Sequence, residues 1–266
     1  MRAIGLFVLA MLWTNSLLAQ APASLSIIID DIGYQLKNGR RAVELPGKLT
    51  YAFLPHSPYA TRLAELAYRR HKEVMLHLPM QAKAGNKLGP GALTEAMSKH
   101  RFKIALHSAL AAIPHVQGFN NHMGSLLTQD LTRMRWLMEA AMFHDHMYFV
   151  DSRTTAQSVA QREAARLGIS NTRRDIFLDY RQGSVVVEHQ LRLLIKRAKQ
   201  KGTALAIGHP HPDTLAVLER WLPKLQAQGV RLVPVSELIR LRTQRRAPAW
   251  QMSSSRSRKV AKNSKQ

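Results

Sequence analysis

Cysteine is absent from all 266 residues. That absence excludes a disulfide framework, every thiolate metal site and a lipid-modified N-terminal cysteine. Acidic residues are few as well: 17 Asp and Glu face 39 Lys and Arg, a formal net charge of +22 that draws anionic partners. Long hydrophobic runs are missing too. The fullest, Ala3–Trp13, holds about 11 residues where a bilayer crossing needs about 20. With Arg2 ahead of it and small residues near Ala19 behind it, this run has the layout of a secretory signal peptide, assigned to residues 1–20. Export of a cysteine-free chain fits a bacterial periplasm. The sequence also lacks a phosphate loop, a Gly-rich dinucleotide fingerprint, an internal repeat and any nucleic-acid recognition module, so no nucleic-acid partner is expected despite the charge.

From Leu241 to Gln266 the chain carries eight basic residues and no acid. Rich in Ser, Lys and Arg and short of branched apolar residues, this stretch is expected to be a disordered basic tail, free to touch an anionic envelope surface. Residues 21–240 remain as the folded domain. There, short β-rich runs (Leu25–Asp30, Lys48–Leu54, Glu73–Leu78, Val116–Asn120, Met147–Asp151, Arg174–Leu178, Thr203–Ile207 and Val230–Val233) alternate with helix-like segments such as Tyr59–His71, Asp130–Phe143, Ser158–Leu167, Val185–Lys201 and Asp213–Gln226. Repeated strand–helix–strand order argues for an α/β fold with a parallel sheet. The number of units predicts a distorted seven- or eight-stranded (β/α) barrel, with a doubly wound open sheet as the alternative. The Gly- and Pro-containing piece from Gln81 to Ser98 is expected to be a loop on the substrate side.

In such a barrel the working residues sit at the C-terminal ends of strands. The first strand, "IIIDDIG", ends in Asp30 and Asp31; the third in His77; the fourth in Asn121 and His122, followed by Ser125 in "NNHMGS"; the fifth in Asp151; the seventh in His209 and His211. Carboxylates and imidazoles on one rim are what a divalent metal and a general acid/base pair require. One aspartate of the first pair could merely cap a helix. Two adjacent carboxylates, however, repel in a shared low-dielectric place unless a cation or proton intervenes. His115, His144 and His146 precede their strands and fall on the opposite face, where a structural role is expected.

With these residues in view, the blocks "IIIDDIG", "EVMLHLPM", "NNHMGS", "FVDSRT" and "IGHPHP" resemble, in order, those of the divergent (YibQ-like) polysaccharide deacetylases, a branch of the NodB-type glycoside hydrolase/deacetylase superfamily. The resemblance runs from about Leu25 to Leu238. It implies a hydrolase removing N-acetyl groups from polysaccharide or peptidoglycan-derived glycans with a divalent metal, usually zinc. By the same likeness Asp30 is the general base, Asp31 a metal ligand and His209 the general acid. Ordinary deacetylases of the superfamily carry a second histidine four residues after the one matching His77, where this chain has Gln81. His122 is the expected replacement, giving a ligand set of Asp31, His77 and His122, with Asn121, Ser125, Asp151 and His211 as candidate substrate contacts. The rearrangement leaves two classes open: a metal-dependent deacetylase, and a non-catalytic glycan-binding or envelope-assembly protein on the same barrel.

Overall fold

The computed structural model describes residues 22–85 and 87–246. The signal assigned to residues 1–20 and the part of the expected tail beyond Arg246 lie outside the described residues. Between them run β1 (Ala23–Ile32), α1 (Leu36–Val43), β2 (Thr50–Phe53), α2 (Ala60–Arg69), β3 (Glu73–Met80), α3 (Lys99–Ala111), β4 (Val116–Met123), α4 (Leu131–Ala141), β5 (Tyr148–Asp151), α5 (Ala160–Arg166), β6 (Ser170–Arg173), β7 (Ile176–Phe177), α6 (Ser184–Lys201), β8 (Thr203–Gly208), α7 (Pro212–Trp221), β9 (Val230–Leu232) and α8 (Val235–Arg246). All pairings are parallel, and eight strands follow the order β6-β5-β4-β3-β2-β1-β8-β7. β9 adds to the start of β1. Among the described residues no ladder joins β6 to β7, so the expected barrel is distorted by a seam there.

Strand alternation sorts the side chains into two cores. One row faces outward onto the helices and includes Leu25, Ile27, Ile29, Leu76 and Phe149. The other fills the barrel: Ile28, Ala52, Met75, Tyr148, Val150, Leu205 and Ile207, closed from below by Val235, Leu238 and Ile239 of α8. Gly118 on β4 leaves room for the Tyr148 ring, since a Cβ there would lie 2.4 Å from it. At the floor, Glu73 is buried but accepts hydrogen bonds from Thr50 Oγ1 (2.8 Å), Tyr148 Oη (3.0 Å) and the amide of Ser236 (3.2 Å). A buried carboxylate satisfied in this way locks α8 under the sheet.

Two expectations change. The basic tail does not begin at Leu241, because α8 continues to Arg246 and inserts Arg242 into the seam, where its guanidinium meets Thr172 Oγ1 (2.5 Å) and the Asp175 carboxylate. β6 is a separate strand of polar sequence, Ser-Asn-Thr-Arg, which among the described residues pairs only with β5.

Candidate metal centre

The inward row of the barrel continues upward from apolar to polar residues. Asp30 follows Ile28 on β1, His77 follows Met75 on β3, Asn120 and His122 follow Gly118 on β4, and His209 follows Ile207 after β8, each two residues on and therefore on the same face. Asp31, as Asp30's neighbour, should face away. It does not, because the β1–β2 register shifts between Ile29 and Ile32 and Asp31 takes a left-handed backbone with φ of 58°. The bulge turns both carboxylates onto one rim, and such strained positions collect at functional sites. Met123 and Arg153, at the ends of β4 and β5, share this conformation. Gly33 completes the turn: at its φ of 141° a Cβ would lie 1.9 Å from Ser57 Oγ.

Three ligand-type atoms converge beside Asp30. Asp31 Oδ1 is 3.1 Å from His77 Nε2 and 2.9 Å from His122 Nδ1, and those two nitrogens are 3.1 Å apart. Close as they are, neither imidazole meets the oxygen with hydrogen-bond geometry, and Asp31 Oδ1 is buried without a hydrogen bond. A tetrahedral ion with bonds of about 2.0–2.2 Å to nitrogen and oxygen separates its ligand atoms by about 3.3–3.6 Å. The triangle, with sides of 2.9–3.1 Å, is a few tenths tighter and needs only a small spread of the side chains, so one carboxylate and two imidazoles fit a divalent ion such as zinc.

Asn120 arranges the set, although the sequence reading passed over it. Its Oδ1 accepts from His77 Nδ1 at 2.6 Å, and its Nδ2 donates to Asp30 Oδ1 at 2.9 Å. The first bond fixes the proton on Nδ1 and leaves the Nε2 lone pair for a metal. The second holds Asp30 in place while its Oδ2 stays 3.7 Å from His77 Nε2. Burial raises the Asp30 carboxyl above the usual carboxylate range, only partly offset by His77, His209 and Asn120. For Asp31 burial acts in the same direction, but the adjoining His122 and His77 outweigh it and hold the group well below that range. Two neighbouring carboxylates are thereby given opposite proton affinities.

His209 closes the far side, with Nε2 3.8 Å from Asp31 Oδ2. Its Nδ1 donates to Asp179 Oδ1 at 2.9 Å, while Asp179 Oδ2 accepts from the His209 amide (2.7 Å) and Thr214 Oγ1 (2.8 Å). Burial opposes a charge on His209, yet the Asp179 hydrogen bond and charge push its pKa up to about 9. Asp179 itself is held low by His209 despite its burial. Asp179, His209 and His211 also lie close enough together to suggest a cation site, but both Asp179 oxygens are already spent on donors.

The other expected contacts divide. His211 lines a cavity of about 310 Å³ with Tyr34, Gly33 and His209. Asn121 lines a second one of about 360 Å³ with Ser152, Arg174 and Phe177, and its Oδ1 receives the Ser152 amide at 2.9 Å. Both cavities meet at Asp31, His122 and His209. Asp151 stands apart: next to inward Val150, it faces outward, fully buried, with its oxygens taken by the Arg153 amide and Ser158 Oγ at 2.8 Å each. Ser125 lies off both cavities and accepts from the Lys83 amide at 3.1 Å. Asp151 and Ser125 thus shape loops around the site. Ser152, whose buried hydroxyl has no partner, also lines the second cavity. His144 pairs with His107 at 2.9 Å and His115 stacks on Tyr68, both away from this rim.

The sequence profile of the family described as "Divergent polysaccharide deacetylase" matches residues 27–239. The chain belongs to that family. Relatives include an uncharacterized protein of Haemophilus influenzae, 36% identical over 220 residues and covering 83% of this chain and 78% of its own, and YibQ of Escherichia coli, 35% identical over 215 residues, 81% and 67%. An uncharacterized protein from Agrobacterium tumefaciens has the same fold, with a TM-score of 0.78 at 21% identity over 83% of this chain and 90% of that one. This member of the family presents a parallel distorted barrel whose rim gathers two Asp/His clusters, one of which, Asp31 with His77 and His122, keeps a carboxylate oxygen free of donors.

Proposed function

We propose that the protein is an exported, periplasmic metal-dependent hydrolase that removes N-acetyl groups from envelope glycans, peptidoglycan fragments included. The observation that carries this reading is the triangle of Asp31 Oδ1, His77 Nε2 and His122 Nδ1 set directly beside buried Asp30. Asp31, His77 and His122 would hold the ion, zinc being the best match to the donors, and when bound it supplies Lewis-acid polarisation of the acetamide carbonyl. Asp30, oriented by Asn120 and with its proton affinity raised by burial, takes the proton of the attacking water. His209, kept protonated by Asp179, gives a proton to the departing amine. The Ser152 hydroxyl offers the sugar a hydrogen bond.

The reading is tested by loading the purified full chain with zinc and measuring acetate release from N-acetylated peptidoglycan fragments. Sustained release abolished by Asp30→Asn is the expected result. Metal binding with no acetate release above a protein-free control, in wild type as in Asp30→Asn, would overturn the catalytic reading and favour a non-catalytic glycan-binding protein on a deacetylase barrel.

A further inference from the structure

A third cavity, of about 530 Å³, opens at the β6–β7 seam, where β6 faces the start of β8, among residues that line neither rim cavity. Its walls come from α5, β6 and the C-terminal ends of α6 and α8. Six of its lining side chains are cationic: Arg162, Arg173, Arg197, Lys201, Arg242 and Arg245. Asp175 is its one acidic lining residue among the described residues, and it is already engaged. Its Oδ1 meets Arg197 Nη2 at 3.2 Å, while its Oδ2 meets the Arg242 guanidinium and accepts the Leu205 amide at 2.9 Å. Arg162, Arg173, Lys201 and Arg245 therefore face one hollow without an acidic partner among the described residues.

Packing does not require this arrangement. Arg162, Arg173 and Lys201 are exposed, and a surface serving only solubility would spread such charges apart. Arg245, exposed as well, is set at the hollow by a close approach of the chain. Its guanidinium lies against Gly202, where a Cβ would come within 1.7 Å of Nη1. Like charges gathered in a concavity focus a positive potential and lower it only by taking up an anion. Four free cations, three of them planar forks, exceed what one carboxylate accepts. They match the three or more oxygens and double charge of a phosphate. We propose that the seam cavity is a phosphate-binding site, separate from the metal rim, for a phosphate group of a soluble ligand or of a lipid headgroup.

Inorganic phosphate titrated calorimetrically into the full chain at low ionic strength tests this, with a chelator present so that no metal at Asp31 contributes. Saturable binding is expected. It should weaken at least about tenfold in Arg162→Gln/Arg173→Gln/Lys201→Gln, which leaves both Asp175 pairs intact, and remain unchanged in the remote Arg69→Gln/Arg70→Gln. Arg245→Gln alone provides a milder second variant should the triple one melt early. Cosedimentation with phosphatidic acid/phosphatidylcholine vesicles, whose anionic lipid carries a phosphomonoester, separates the two sources. Vesicle binding that phosphate competes away and the triple variant loses assigns the headgroup, and phosphate binding without vesicle binding assigns a soluble phosphate. The proposal is overturned by heats that sodium chloride reproduces at equal ionic strength, or by equal phosphate affinity in wild type and both seam variants.

Discussion

Two clusters at the same rim are built from the same residue types and differ in what their carboxylates already do. In one, Asp31 Oδ1 is buried among His77 and His122 without a hydrogen bond. In the other, Asp179 beside His209 and His211 has both oxygens filled by two N–H groups and a hydroxyl. The first carboxylate has unspent lone-pair capacity and is suited to a cation. The second has spent it on holding one imidazole protonated and in place. Composition alone makes them alike; hydrogen-bond accounting leaves one with room for a cation and the other committed to holding an imidazole protonated.

The strongest way to break the comparison is to remove each carboxylate in turn. Asp31→Ala should abolish stoichiometric binding of a divalent ion, measured by elemental analysis after dialysis, whereas Asp179→Asn should leave it intact. Equal metal loss from both would make the second cluster part of the centre. For acetate release, Asp30→Asn is expected to cost about 10²–10⁴-fold in kcat with the metal still bound, the usual scale for a general base. Smaller is the effect of Asn120→Ala, which frees the His77 tautomer without deleting a ligand. Metal affinity should fall about 10- to 100-fold, as for other partners that orient ligands, and an unchanged affinity would reduce Asn120 to packing. Protons compete at the same cluster. Although burial disfavours its charge, Asp30 and Asp31 raise the pKa of His77 above its ordinary value, so metal uptake displaces a proton. Affinity should rise with pH through the neutral range and level off once His77 is neutral, a trend that metal titrations at several pH values would show or refute.

The barrel was largely legible in the sequence because β1, β3 and β8 are buried apolar runs that stop at polar residues. β6 was not, since an edge strand with one neighbour needs no apolar run. α1 is amphipathic but only eight residues long, too short to establish a helical period, and α3, whose charged and apolar residues are mixed around the helix, leaves a weak one. Within the site, strand ends pointed to Asp30, Asp31, His77, His122 and His209. Asn120 escaped because its role depends on register: it lies opposite His77 across the β3–β4 pair, and pairing is invisible in one sequence. Alternation did carry the signal that would have found it, since Asn120 shares the face of His122 while Asn121 does not. The same rule applied to β5 puts Ser152, not Asp151, on the face of Val150. Asp179 directly follows the run Arg174–Leu178 and was open to the strand-end argument that found the others.

The smallest effect bears on the satisfied cluster through stability. Folded His209 keeps its proton up to about pH 9, whereas an unfolded imidazole releases it near 6.5, so unfolding in between sheds a proton. The His209 contribution is thus fully present below about pH 6.5 and is lost as pH rises through about 9. Asp179, depressed in the fold, behaves in the opposite sense: its contribution is present above its unfolded value of about 3.9 and is lost as pH falls through its lower folded value. The metal-free protein should accordingly lose about 1–2 kcal/mol between pH 6.5 and 9 that Asp179→Asn does not lose, read from denaturant melts at the two pH values. Parallel losses in wild type and variant would mean that Asp179 does not set the His209 proton. The distinction between a spent and an unspent carboxylate would then fail where it is easiest to measure.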